Sequence, residues 1–294
     1  MNNNSTKSIY ISVLIVAAAI LTILALVQTV RSDFALSWIG LFISSFPIVY
    51  YFLSLHQLKK ARTSPRLTYI GAPVFTGTVV ATLGTFQAGG NTWWVAFTTM
   101  VMMVAWMAYV NWYSHLERPL NPKLVVGRKL PSHTFRDVQG NKISTATLEG
   151  QIVLYIFYRG NWCPFCMAQI KEVVADYHAL AERSVNILLI SPQSQEHTAE
   201  LAQKFKVPMQ FLVDKDNQVA RALGIAHENG VPKIVEPMGY ESETVLPTVI
   251  ITNEDGRIIY INMTDNYRIR PEPAEYIRVI DGLTEKLEIR VYRK

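Results

Sequence analysis

Both cysteines of the chain lie in the stretch YRGNWCPFC, where Cys163 and Cys166 form a C-x-x-C pair. Pro164 suits the first position of a helix, because its missing N–H costs nothing there. Cys163 then becomes the N-cap, where the helix dipole and the free backbone N–H groups favour the thiolate, the nucleophilic form. Cys166 follows one turn later on the same face, and Arg159 can add positive charge. The pattern predicts a redox couple, with Cys163 as the attacking thiolate and Cys166 as its partner.

Two other interpretations of the pair remain. Two cysteines can be buried as small apolar side chains, or they can supply half of a zinc site, which needs two further ligands. The histidines of the same half of the chain show no pair at ligand spacing: His133, His178, His197 and His227. No cofactor or metal is therefore predicted, and two cysteines in 294 residues do not make a disulfide scaffold.

A second candidate feature is the proline in ETVLPTVIIT, where Pro247 precedes a predicted strand that begins at Thr248. Proline lowers the cost of a cis peptide bond, and a cis-proline at the start of a strand beside the C-x-x-C is expected to pack against the pair and shape the substrate groove. We therefore expect Pro247 and Thr248 to border the cysteine pair. A trans proline that simply begins the strand is the alternative.

The elements around the pair predict a thioredoxin-like α/β domain, with a central mixed sheet and flanking helices. The apolar runs IVLYIFY and VNILLIS predict two buried strands. Apolar residues at three- and four-residue steps predict a helix from Cys163 to about Arg183, and a second helix covers His197 to Phe205. The turns DKDN and NEDG separate further strands, the latter within a hairpin. A closing helix is predicted to start after Pro273.

The first 118 residues differ sharply in composition from the rest. They carry nine charged side chains, seven basic and two acidic, whereas 119–294 contains 21 of each sign. Four stretches without Asp, Glu, Lys or Arg are long enough to cross a bilayer: about 8–30, 34–55, 67–88 and 92–113. We expect an all-α transmembrane four-helix region over 1–118, followed by a linker and redox domain over 119–294. Because the excess positive charge flanks apolar segments, a lipid bilayer is the predicted partner and nucleic acid is not.

Basic residues in short loops predict the orientation of the spans. The loop between the second and third spans, HQLKKARTSPR, has four basic residues and no acidic one, and basic residues also follow the fourth span. The sequence therefore predicts an integral protein of a bacterial-type inner membrane, with both termini and the redox domain in the cytoplasm. If the third span fails to cross, the redox domain lies on the other side. Anchoring is the expected role of the spans, and a quinone or protein docking surface is the alternative.

Four stretches of the second half resemble the peroxiredoxin-like branch of the alkyl hydroperoxide reductase/thiol-specific antioxidant (AhpC/TSA) family: IVLYIFYRGNWCPFCMAQIKEV, FLVDKDNQVARALGI, LPTVIITNEDGRIIYI and DNYRIRPEPAEYI. The likeness runs from about Leu124 to Leu283, and it implies a thioredoxin fold and thiol-based reduction of peroxides. In that scheme Cys163 is oxidised to a sulfenic acid and condenses with Cys166 to a disulfide. A thiol reductant of the thioredoxin or glutathione type then restores the pair.

One motif departs from the family pattern. Typical members carry P-x-x-x-T/S-x-x-C, in which the hydroxyl and a distant arginine hold the peroxide. Counted back from Cys163, the two motif positions are Ile156 and Gly160, so neither the proline nor the hydroxyl is present. The cation can instead come from Arg159, Arg268 or Arg270.

The sequence therefore favours a membrane-anchored thiol-dependent oxidoreductase that reduces peroxides, including lipid hydroperoxides near the bilayer, through Cys163 and Cys166. One alternative is a membrane-anchored thiol–disulfide oxidoreductase that acts on protein disulfides. A further alternative is a redox-sensing or binding membrane protein. The residues expected to support the pocket are Arg159, Gly160, Trp162, Pro164, Pro247 and Thr248.

Overall fold

The chain forms two compact units. A computed structural model describes residues 3–32, 35–205 and 207–292, with side chains described up to residue 282. The first unit is helical and the second is α/β. Their segments are Met1–Leu58 with Thr63–His115 in the first unit, and Lys59–Arg62 with Leu116–Lys294 in the second.

The first unit contains four long helices: α1 (Asn3–Arg31), α2 (Leu36–Ser54), α3 (Thr68–Gln87) and α4 (Trp93–Ala108). A 3-10 turn, Leu55–Gln57, extends α2, and a π-helical turn, Tyr109–Tyr113, extends α4. With these turns, all four are long and apolar enough to cross a membrane. The predicted set of four apolar helices is confirmed, and their insertion in a bilayer stays a prediction.

The first unit buries hydroxyl groups beside apolar side chains and leaves large apolar side chains exposed. Hydroxyl groups lie inside, since Ser45 and Thr99 are fully buried, whereas Ile23 is 64% and Phe86 is 76% exposed. Thr22 Oγ1 donates to Ser45 Oγ at 3.0 Å, which joins α1 to α2. The outer surface of the helices is therefore largely apolar.

Two glycines allow α2 and α3 to pack closely. A Cβ atom on Gly77 would lie 2.4 Å from the backbone nitrogen of Ser44, and one on Gly84 would lie 2.3 Å from that of Ser37. No side chain fits at such distances. The two glycines lie two turns apart on one face of α3, and they let its backbone approach that of α2 closely.

The second unit has nine strands in its described part: β1 (Thr134–Arg136), β2 (Lys142–Ser144), β3 (Ile152–Phe157), β4 (Val185–Ser191), β5 (Gln210–Val213), β6 (Ala226–His227), β7 (Thr244–Val245), β8 (Thr248–Thr252) and β9 (Ile258–Asn262). Seven form a mixed sheet in the order β2-β1-β5-β4-β3-β8-β9. The central strands β3, β4 and β5 are parallel, and β1 and β8 join them antiparallel. β6 and β7 form a separate two-stranded ribbon.

The helices of this unit are α5 (Pro164–Ala175), α6 (Tyr177–Ala181), α7 (Gln195–Lys204), α8 (Gln218–Leu223) and α9 (Pro273–Tyr292). The mixed sheet with flanking helices is the predicted thioredoxin-like α/β fold. The single helix predicted from Cys163 to Arg183 is wrong, because the chain breaks at Asp176, where ψ is 12°. Asp favours such breaks, since its short side chain competes for backbone hydrogen bonds.

β3 explains why the cysteines follow a continuous apolar run. It lies between β4 and β8, and five of its six residues are buried. Its last residue, Phe157, pairs with Ile190 of β4 and with Thr248 of β8. The chain leaves β3 at the carboxyl edge of the parallel strands, the edge where α/β sheets commonly bind ligands.

Candidate active site

The loop between β3 and α5 presents the cysteine pair, and hydrogen bonds from two other segments fix its backbone. Gln193 accepts from the Asn161 N–H at 2.8 Å and donates to the Tyr158 hydroxyl at 3.2 Å. Thr244 Oγ1 donates to the Arg159 carbonyl at 2.7 Å. Residues after β4 and on β7 therefore hold the loop, so its geometry depends on segments that are distant in the sequence.

The two cysteines stand at the start of α5. Cys163 is the N-cap and Pro164 begins the helix, as the sequence predicts, and Cys163 Sγ accepts from the Cys166 N–H at 3.4 Å. The two sulfur atoms lie 2.6 Å apart and are not bonded to each other. Each residue is only 1% exposed. The first turn of the helix thus brings two reduced sulfurs together inside the protein.

Two buried arginines flank the pair. Arg159 and Arg270 are 5% and 3% exposed. The Arg159 guanidinium carbon lies 4.6 Å from the ring centre of Trp162 and 5.8 Å from that of Tyr267. Arg270 Nη1 donates to the Ile269 carbonyl at 3.1 Å, while its buried Nε and Nη2 have no hydrogen-bond partner among the described residues. Unpaired buried donors are costly, so this edge of Arg270 is suited to an anion.

The pKa values of the two cysteines shift in opposite directions. Burial and then the hydrogen bond with Cys166 raise the pKa of Cys163 well above its usual value. Burial also raises the pKa of Cys166, but the hydrogen bond with Cys163 and the charge of Arg270 outweigh it and lower this pKa to about 6. Of the two thiols, Cys166 is therefore the one whose ionised form the surrounding charges favour. The sequence assigns the attack to Cys163 from its N-cap position alone, and which sulfur attacks stays a prediction.

Gly160 shapes the loop through its backbone. Its φ is +149°, and a Cβ atom there would lie 2.7 Å from Trp162 Nε1. Only glycine meets both conditions without strain. The residue therefore allows Trp162 to fold back and carry the Arg159 guanidinium on its ring.

A cleft of about 380 Å³ opens beside the pair. Arg159 and Trp162 form part of its wall, whereas the two sulfurs do not line it. Charged side chains of both signs line the rest, including Arg136, Lys215, Asp216, Glu241 and Glu243. The cleft is thus polar and approaches the cysteines from the Arg159 side.

A zinc site is one alternative that the C-x-x-C leaves open. Within the described ranges, no group of three or more His, Cys, Asp or Glu side chains is arranged to hold a metal ion. His197, one of the four histidines considered, stacks on Tyr240 with ring centres 4.3 Å apart.

Comparisons with known proteins match the second half of the chain. The model of the AhpC/TSA family matches residues 126–261. A Bcp-type peroxiredoxin of Coxiella burnetii is 30% identical over 133 residues, which make up 45% of this chain and 84% of that protein. The chain belongs to the AhpC/TSA family. It is therefore an enzyme of the peroxiredoxin type, a thiol-dependent peroxidase, and the resemblance drawn from the sequence is confirmed.

Two further comparisons cover the same region. Peroxiredoxin Bcp of Bacillus subtilis is 21% identical over 161 residues, which are 55% of this chain and 98% of that protein. The crystal structure of peroxidoxin BcpB from Mycobacterium tuberculosis matches with 15% identity and a TM-score of 0.43, over 53% of this chain and 96% of that one. The match to the family model begins after α1–α4.

The AhpC/TSA motif can also be counted from the second cysteine. Counted back from Cys166 instead of Cys163, its Thr/Ser position falls on Cys163 and its Pro position on Arg159. A thiol then stands where the family has a hydroxyl, and that thiol lies 2.6 Å from the Cys166 sulfur. In this register Gly160 occupies no motif position, which agrees with its purely conformational role.

The expected cis-proline is wrong. The Leu246–Pro247 bond is trans. Leu246 N–H donates to the Ile225 carbonyl at 2.7 Å and Arg118 donates to the Pro247 carbonyl, so the chain is already extended as it enters β8. Arg118 also donates to Thr248 Oγ1 at 3.2 Å. Burial and then the charge of Arg270 lower the pKa of Arg118 to about 9. A supporting role of Pro247 and Thr248 in the pocket stays a prediction.

Some site residues carry no local signal in the sequence. Gln193 and Thr244 act through single hydrogen bonds to the loop, and Arg118 follows the fourth apolar helix. Arg270 lies in DNYRIRPEP, a stretch included in the family resemblance, but three arginines were equally eligible as the cation. Only the fold shows that the charges of Arg270 and Arg159 act on Cys166.

Proposed function

We propose that the cysteine pair reduces peroxides, with Cys166 as the attacking thiolate and Cys163 as the resolving thiol. The observation that carries this proposal is a pair of buried, adjacent sulfurs together with the buried Arg270, whose Nε and Nη2 have no hydrogen-bond partner among the described residues. The charge of Arg270 lowers the pKa of Cys166. A thiolate that is present at neutral pH is a ready nucleophile. The roles reverse those expected from the sequence, where Cys163 attacks.

The reaction proceeds in two steps. The Cys166 thiolate attacks one peroxide oxygen, the O–O bond breaks, and the alkoxide or hydroxide that leaves takes the proton of Cys163. Cys163, now a thiolate, attacks the sulfur of the Cys166 sulfenic acid, releases hydroxide and forms the disulfide. In total, one peroxide and two thiols give an alcohol, or water from hydrogen peroxide, together with one further water and one disulfide.

Arg270 is the proposed peroxide-binding cation. Its free Nε and Nη2 groups can donate to the two peroxide oxygens as negative charge develops on the leaving oxygen. Arg159 adds a second positive charge from the other side and is held in place by Trp162. Both guanidinium groups are present before the substrate arrives, so little reorganisation is needed.

The polar cleft favours a small hydrophilic peroxide as substrate. Arg136, Lys215 and Glu241 line the approach to Arg159, and burying an acyl chain among such groups would cost desolvation free energy. Hydrogen peroxide is therefore the proposed substrate in preference to the lipid hydroperoxides expected from the sequence. A thiol reductant of the thioredoxin or glutathione type is the proposed electron donor.

Burial of the pair bears on the disulfide-exchange alternative. An enzyme that attacks protein disulfides must bring its sulfur to another protein's surface, and both cysteines are 1% exposed. A hydrogen peroxide molecule is small enough to enter a narrow passage that excludes a polypeptide. The buried sulfurs thus favour O–O over S–S as the bond attacked.

The four apolar helices are proposed to anchor the enzyme in a bacterial-type inner membrane. The exposed apolar surface and buried hydroxyls of α1–α4 support this role. Lys59–Arg62, from the loop between α2 and α3, belongs to the redox unit, so this basic loop and the redox domain share one compartment. Basic loops face the cytoplasm, which makes the cytoplasm the proposed location of the redox domain.

The deciding experiment measures peroxide consumption by the reduced, detergent-solubilised full-length protein. We expect hydrogen peroxide to be consumed catalytically with a thiol reductant, and Cys166→Ser to abolish this activity. Cys163→Ser should consume one equivalent and then stop, because the sulfenic acid has no resolving thiol. If the protein instead reduces an insulin-type disulfide and leaves peroxide untouched, the exchange alternative replaces the proposal. Reversible oxidation without either turnover would favour a sensor.

A further inference from the structure

A segment between two apolar helices is built into the redox unit. Lys59–Arg62 lies in the chain between α2 and α3, yet it packs with the α/β domain. Ala61 is fully buried there, and Arg62 forms an isolated antiparallel β-bridge with Ile269. The peroxide chemistry proposed above leaves this segment without a role.

Arg62 joins two elements of the site by ion pairs. Its Nη2 donates to both carboxylate oxygens of Glu172 at 2.9 Å, and its Nη1 donates to Glu272 at 2.7 Å. The Ala61 N–H also donates to Glu172, at 3.1 Å. The Glu172 side chain is 14% exposed and that of Arg62 21%, so these charge-assisted bonds are partly shielded from water.

The two elements joined are those that carry the reacting groups. Glu172 lies on α5, the helix that begins at the cysteine pair. Ile269, which bridges to Arg62, precedes Arg270, and its carbonyl accepts from the Arg270 guanidinium at 3.1 Å. Arg62 therefore contacts the Cys166 helix through its side chain and the Arg270 segment through both its side chain and its backbone.

We propose that Arg62 is a positioning residue of the redox site, which ties the helix of Cys166 to the segment of Arg270 and sets the distance between thiolate and guanidinium. The proposal rests on the role of Arg270 proposed above. It adds that the loop between the second and third apolar helices completes the site, so the reactivity of the thiol depends on a part of the chain outside the family domain.

Several groups face Cys166 and contribute to its titration. Cys163 lies on the same helix, Arg159 and Tyr158 lie in the loop after β3, and Arg270 lies in the segment before α9. The contacts of Arg62 are to Glu172, Glu272 and Ile269. Its proposed effect on the thiol passes through the position of Arg270, and this makes the positioning role testable.

The test is the pH dependence of thiolate formation in the reduced full-length protein, followed by the ultraviolet absorbance of the thiolate. Arg62→Ala should raise the titration midpoint by about 1 pH unit, because Arg270 is no longer held against Cys166. At pH 6 the thiolate fraction would then fall roughly fivefold. Lys60→Ala is the matched control, since Lys60 is an exposed base of the same segment, and its midpoint should equal that of the wild type.

Glu172→Ala separates positioning from a simple charge effect. If Glu172 acts on the Cys166 thiolate only through its negative charge, its removal should lower the pH midpoint of thiolate formation. If Glu172 acts by holding Arg62, its removal should raise that midpoint. A raised midpoint in Glu172→Ala supports the proposal, and a lowered or unchanged one overturns it, as does an unchanged midpoint in Arg62→Ala. If thermal unfolding shows that Arg62→Ala is poorly folded, Glu172→Ala carries the test. A wild type with the expected midpoint but no peroxide turnover would refute the proposed function and leave this inference standing.

Discussion

The most informative perturbation of the site is Arg270→Met, which removes the guanidinium charge and keeps a side chain of similar length. Arg270 is 3% exposed, and its charge is a leading cause of the low pKa of Cys166, about 6. An opposite charge close to an ionisable group shifts its pKa by about 1–3. We therefore expect the pKa of Cys166 to rise to about 7–9 in the variant, a loss of about 1.4–4 kcal/mol of thiolate stabilisation.

The consequence for reactivity follows from the thiolate fraction. With a pKa of about 6, Cys166 is about nine-tenths ionised at pH 7. In Arg270→Met that fraction falls to about one half or below, and the loss of two donors to the peroxide should slow the reaction further, by about 100-fold or more. The pH midpoint reports the first effect, and the peroxide rate at saturating pH reports the second.

The assay combines thiolate absorbance against pH with stopped-flow mixing with hydrogen peroxide. Arg278→Ala is the control, because Arg278 is an exposed arginine on α9 and should leave both measurements unchanged. The reasoning is refuted if Arg270→Met keeps the wild-type midpoint, because a group other than Arg270 would then lower the pKa of Cys166. A raised midpoint with an unchanged rate at high pH would refute only the peroxide-binding role.

Four further predictions follow from the geometry. Gly160→Ala should lower the free energy of unfolding by about 1–3 kcal/mol in denaturant titrations, because the new Cβ meets Trp162 Nε1 at 2.7 Å and the φ of +149° becomes strained; a wild-type stability would contradict the close contact. Alkylation of the reduced protein at pH 7 should label Cys166 before Cys163, as peptide mass spectrometry can check, and the reverse order would restore the roles expected from the sequence. The ratio kcat/KM should be higher for hydrogen peroxide than for a phospholipid hydroperoxide in micelles, and the opposite preference would argue that the polar cleft is not the entrance. A reporter that is active only in the periplasm should stay dark when fused to the C-terminus, whereas a bright reporter would overturn the proposed orientation.

Local features of the sequence predicted the scaffold of the site well. The apolar run before the cysteines became β3, and Pro164 began α5 with Cys163 as its N-cap. These features depend on residues that are neighbours in the chain, so the local composition and spacing of the sequence can predict them. The four apolar helices are predictable for the same reason, because length and hydropathy are local properties.

Features that depend on distant contacts were predicted poorly. The sequence places the thiolate on Cys163 from its N-cap position, and it gives no sign that the charge of Arg270, far along the chain, lowers the pKa of Cys166. A cis bond was expected at Pro247, but the hydrogen bonds of Leu246 and the Pro247 carbonyl hold the extended trans form. Arg62 looked like one of four loop charges that set membrane orientation, yet it pairs with Glu172 inside the redox unit.

The most direct test of the central claim is the product formed when the reduced full-length protein meets one equivalent of hydrogen peroxide. The account predicts that peroxide disappears and that mass spectrometry finds an intramolecular disulfide between Cys163 and Cys166. In Cys163→Ser it predicts a sulfenic acid on Cys166 that a trapping reagent captures. Peroxide loss no faster than in the Cys163→Ser/Cys166→Ser double variant, or a sulfenic acid trapped on Cys163 in Cys166→Ser at the wild-type rate, would contradict it.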